Sequence, residues 1–69
     1  MNLVYADHSI KSMKKRGISE LEVTHVLAYP SRIRDSYDGK KEATGIIRNR
    51  TITLVFIPEE NYIRIITII

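Results

Sequence analysis

The chain has no cysteine. That excludes both a disulfide staple and a thiolate metal cage. Its two histidines cannot hold a structural zinc by themselves, and neither a metal nor another cofactor is expected. Long apolar runs are missing too. The longest apolar-leaning stretch is residues 51–57, far short of the roughly 20 residues a membrane span needs. The N-terminal segment is mixed in polarity, includes Asp7 and has no apolar h-region, so no signal peptide is expected and a cytoplasmic location is the default. There is no glycine-rich phosphate loop, no His-Glu-x-x-His and no serine in a nucleophile elbow. The one adjacent carboxylate pair, Glu59 and Glu60, follows Pro58 and reads as a solvated turn. With 69 residues there is room for one domain, residues 1–69, and no second. A chain of this size buries only roughly 60% of its unfolded surface, so its core is thin and self-association would help it.

What is present reads as globular: 43% of the residues are hydrophobic and 28% charged, which is too apolar for a disordered chain. The first half has a helical period. Ala6, Ile10, Met13 and Gly17 mark one stripe of a helix over residues 7–16, with Gly17 as its stop and Lys14, Lys15 and Arg16 in the last turn. A second helix opens on a capping box, Ser19 with Glu22, and on a hydrophobic staple of Ile18 and Val23. It presents Val23, Val26 and Leu27 on one face and ends before Pro30. The period then falls to two. Strands are expected over residues 32–37, 42–48, 51–57 and 62–69, with turns at Asp38-Gly39, Asn49-Arg50 and residues 58–61. Gly45 within the second of these signals a bulge or a close approach. Strict alternation would put Ile63, Ile65, Thr67 and Ile69 on one face of the last strand and Tyr62, Arg64, Ile66 and Ile68 on the other. The fold class that follows is α+β, with two N-terminal helices packed on a four-stranded antiparallel meander. The last strand is apolar on both faces, which makes a homodimer through it a candidate arrangement.

The formal charge is only +3, but it is unevenly laid out: residues 1–18 hold Lys11, Lys14, Lys15 and Arg16 against Asp7. In a regular helix His8, Lys11 and Lys15 share a stripe, roughly opposite Ile10 and Met13. A titratable imidazole beside cations is what cleavage of RNA by 2′-hydroxyl attack needs: a general acid or base, and charge to meet the developing phosphorane. An exposed helix histidine among solubilising lysines has the same pattern. His25, away from the apolar face of the second helix, reads as a surface residue. Arg32, Arg34, Arg48, Arg50 and Arg64 come from the strand half and, with the first helix, offer a basic groove for a sugar–phosphate backbone or a scatter of surface charge. Tyr37 and Tyr62 are either base-stacking platforms or half-buried edge residues.

His8-Ser9-x-x-x-Met13-x-x-Arg16-Gly17-Ile18-Ser19, a Glu-Val helix ending at Pro30, and a closing Ile66-Thr67-Ile68 together span nearly the whole chain. This order resembles a small prokaryotic family of unknown function, with a His-Ala/Ser helix, an Arg-Gly-Ile-Ser junction and a terminal strand carrying threonine. That family is in turn similar to the RelE/ParE-like toxins of the barnase–EndoU–colicin–RelE nuclease group. The resemblance implies a toxin-like, metal-independent ribonuclease, acting on RNA or the ribosome and held in check by a cognate antitoxin. Carried over, His8 is the acid or base, Arg16 a phosphate clamp, and Thr67 a hydroxyl that orients substrate. Lys11, Lys15, Arg32, Arg34, Arg48 and Arg64 are the accompanying nucleic-acid-binding set. The family often has a second arginine just before the methionine, where this chain has Ser12. The other readings are a non-catalytic module of the same fold that binds nucleic acid or a protein, and a gyrase inhibitor of the ParE kind.

Overall fold

The computed structural model describes residues 1–69, in the order β1 (Leu3–Tyr5), α1 (Asp7–Arg16), α2 (Glu20–Ala28), β2 (Arg32–Asp35), β3 (Lys41–Ile47), β4 (Arg50–Pro58) and β5 (Ile63–Ile68). The helix signals are realised closely. Gly17 takes the left-handed conformation at φ 65° and ψ 40°, where glycine carries no Cβ penalty, and α1 stops there. Ser19 caps α2 as one half of a capping box with Glu22. The Ser19 N–H donates to Glu22 Oε1 at 2.9 Å and the Glu22 N–H donates to Ser19 Oγ at 3.2 Å, so two otherwise free donors are satisfied. Ile18 and Val23, the staple, are both buried.

The meander β2–β3–β4–β5 is antiparallel throughout, as expected. The sheet, however, is five-stranded and mixed, in the order β1-β5-β4-β3-β2. The added strand is β1, which runs parallel to β5 with Leu3 opposite Ile63 and Tyr5 opposite Ile65. Three residues are too few to show a period of two, and their partner lies at the other end of the chain. No local signal announces such a pair.

A second correction concerns β5. Leu54 stands opposite Ile68 and Val55 opposite Thr67, but Phe56 stands opposite Ile65, so Ile66 is an extra residue. A bulge of this kind breaks the alternation. It places Ile65 and Ile68, not Ile65 and Ile69, in the core: Ile68 is 3% exposed and Ile69 55%. Both helices pack on one face of the sheet, α1 over β5 and α2 over β3 and β4. There Met13, Val23 and Val26 meet Ala43, Ile52, Leu54, Phe56, Ile65 and Ile68. Gly45 marks a close approach, since a Cβ at that position would come within 3.0 Å of a Val26 methyl. The stripe that α1 buries is Ser9 and Met13. Ser9 is fully buried, with its hydroxyl donating to the Ala6 carbonyl at 2.6 Å, and Ile10 is left 41% exposed. A polar side chain satisfied by its own helix can enter a core, which apolar periodicity does not register. No helix is long and apolar enough to cross a membrane.

Candidate nucleic-acid interface

Because α1 turns Ser9 and Met13 toward the sheet, its 3.6-residue period carries His8, Lys11 and Lys15 to the exposed side. These three, with Ser12 and Arg16, line a shallow depression of about 340 Å³ whose apolar wall is Ile68 of β5. The expected stripe is thus brought together, and Arg16 joins it. Lys15 and Arg16 lie in the last turn of the helix, where the negative end of its dipole favours cations. The chain's three ion pairs are Arg34–Glu42, Lys41–Asp35 and Arg64–Glu59, so Lys11, Lys15 and Arg16 keep their charge unpaired. One imidazole and three free cations therefore face one open depression.

The remaining candidates lie elsewhere. Arg34, exposed on β2, donates through Nε to Glu42 at 3.2 Å. Arg64 donates to the Tyr62 hydroxyl at 3.1 Å and lies 3.9 Å from Glu59, and the Tyr62 contact holds its guanidinium above the ordinary value. Its charge is centred 6.0 Å from the Tyr62 ring, a weak cation–π contact. Tyr62 is thus half-buried and occupied, whereas Tyr37 is exposed. Arg32 sits on the edge strand opposite Thr44. Arg48 occupies the β3–β4 turn. Thr67 pairs with Val55, on the face of the sheet that carries no helix, and its neighbour Ile68 is the β5 residue that reaches the depression. His25 packs against Tyr29 with ring centroids 5.3 Å apart, at the surface.

Arg50, which the sequence offers only as one of the strand-half arginines or as a turn residue, has a structural contact instead. Its guanidinium donates to the Arg16 carbonyl. The last carbonyls of any helix lack partners within the helix, and a distant arginine supplies one here. The only sequence signal for this contact is that unmet demand at the end of α1. No three histidine or carboxylate side chains converge anywhere in the chain.

Residues 5–69 match the family model described as a domain of unknown function, DUF4258, and the chain belongs to that family. No curated protein and no solved structure matches it.

Proposed function

We propose that the protein is a toxin-like, metal-independent endoribonuclease of the RelE kind, with its reaction centre in the α1 depression. The observation that carries this reading is the placement of His8 beside Lys11, Lys15 and Arg16, none of them ion-paired. The resemblance to RelE/ParE-like toxins of the family that carries the His-Ser helix and the Arg-Gly-Ile-Ser junction supports it. His8, as general base, takes the proton of a ribose 2′-hydroxyl. The 2′-oxygen attacks the adjacent phosphorus and the 5′-oxygen leaves, taking a proton from water, and the protonated His8 returns its proton to the hydroxide so formed. The products are a 2′,3′-cyclic phosphate and a 5′-hydroxyl end. Arg16, with its planar fork of donors, holds the phosphoryl oxygens, while Lys11 and Lys15 act as point charges against the negative charge that grows on them. RNA, free or on the ribosome, is the substrate, and a cognate antitoxin is the expected partner.

A second reading is a module that binds RNA without cutting it. Two features of the depression favour it. Ser12 stands where the related pattern carries a second arginine, and His8 is the one imidazole present, with no carboxylate among the residues that line the depression. Incubating the protein with RNA in EDTA, alongside His8→Ala, separates the two. The ribonuclease reading expects cleavage by the wild type and a loss of about 10²-fold or more in the variant. Binding without cleavage, or equal cleavage by both proteins, contradicts it.

A further inference from the structure

The α1 depression ends at Arg16. Beyond the chain at Gly17 lies a second depression of about 360 Å³, whose walls include Glu22, Ile47, Arg48 and Arg50. The turn that forms it is strained where it carries charge. Arg48 and Asn49, between β3 and β4, have φ of 52° and 66°. Two-residue hairpin turns with two positive φ angles favour asparagine and glycine, and a long side chain fits them poorly. The β2–β3 turn meets the same demand with Asp38 and Gly39, at φ 56° and 75°.

Arg48 thus stands where glycine or asparagine would fold with less strain, and its guanidinium has neither a hydrogen bond nor an ion pair within the chain. Arg50 is committed in a different way: its bond to the Arg16 carbonyl ties the turn to the end of α1. The carboxylate of this depression, Glu22, accepts from the Ser19 N–H at 2.9 Å and the Ser19 hydroxyl at 3.2 Å, and it forms no ion pair with either arginine.

We propose that the β3–β4 turn is a second phosphate subsite, in which Arg48 holds a phosphate of single-stranded RNA beyond those met by Lys11, Lys15 and Arg16. This rests on the RNA reading of the α1 depression. From His8 to Arg16 the helix advances about 12 Å at 1.5 Å per residue, and the basic path then rounds its C-terminal end to reach the turn. A flexible single strand can follow that bend, and its splayed backbone is also the form in which a 2′-hydroxyl is free to align for attack.

The test is binding of a short 2′-O-methyl oligoribonucleotide, which cannot be cut by 2′-hydroxyl attack, measured by anisotropy over a range of salt. Wild type is compared with the Lys11→Gln/Lys15→Gln double variant, Arg48→Gly, Arg48→Asn and Arg48→Lys. Each single-strand phosphate contact contributes about 0.7 to the slope of log affinity against log salt. Arg48→Gly should bind several-fold more weakly and lose about 0.7 of slope, with its thermal midpoint unchanged or raised, because glycine suits the turn. Arg48→Asn should behave likewise, and Arg48→Lys should keep the slope. Wild-type affinity and slope in both Arg48→Gly and Arg48→Asn would overturn the inference. If the double lysine variant still lost slope in that case, the RNA reading of α1 would stand alone. A salt-independent wild type would overturn both.

Discussion

Gly45 shows how a single residue ties the layers of this fold together. It is buried in β3 opposite Ile52, and the Val26 side chain fills the space a Cβ would need, at 3.0 to 3.3 Å. Gly45→Ala should therefore destabilise the protein by about 1–3 kcal/mol through overpacking, read from the urea midpoint at constant slope. A glycine inside a strand signals either a bulge or a close approach, and only the position of α2 decides between them. The turns make the same point. Asp38-Gly39 announces its hairpin because both residues suit positive φ, whereas Arg48 does not, so the second turn reads one residue late from the sequence. Of the site, the His8–Lys11–Lys15 stripe was legible because it follows from helical period alone. The Arg50 contact with Arg16 was not, because it joins residues 34 positions apart.

At the scale of elements, the bulge in β5 matters most. It turns Ile68 inward to wall the basic depression and turns Ile69 out. Ile68→Ala should cost about 2–5 kcal/mol and Ile69→Ala less than about 0.5 kcal/mol, compared by denaturant unfolding. Unbroken alternation predicts the reverse order, which is why sequence period alone misplaces this strand. The α2 cap carries a pH signature. The Ser19 N–H and hydroxyl hold the Glu22 carboxyl below its ordinary value, with Arg50 and Arg48 adding to the effect, and Lys41 does the same for Asp35. A carboxyl whose folded pKa is depressed adds stability above its unfolded pKa and loses it as pH falls through the folded value. The thermal midpoint should thus fall as pH drops below about 4. Glu22→Gln should flatten that fall, and an identical pH profile in the variant would show that the cap does not contribute.

Over the whole molecule, one face of the sheet is covered by both helices and the other carries no helix; on it lie Thr44 and Thr53, whose hydroxyls are 3.0 Å apart, and Val55 and Thr67. The charges divide as well. Arg34, Lys41 and Arg64 each have a carboxylate partner, while the cations of α1 and the β3–β4 turn, like Arg32 and Lys40, have none. A net charge of +3 understates this arrangement, because Lys11, Lys15 and Arg16 gather unpaired beside His8 in one depression. The proposed function turns on whether this depression cuts RNA through the 2′-hydroxyl. The most direct measurement is product analysis by mass spectrometry in EDTA, using one RNA and its 2′-deoxy counterpart, each with wild type and His8→Ala. Wild type should give 2′,3′-cyclic phosphate and 5′-hydroxyl ends from RNA, and the other three reactions should leave the strand intact. Cleavage of the 2′-deoxy strand, or RNA cut equally well by His8→Ala, would contradict it.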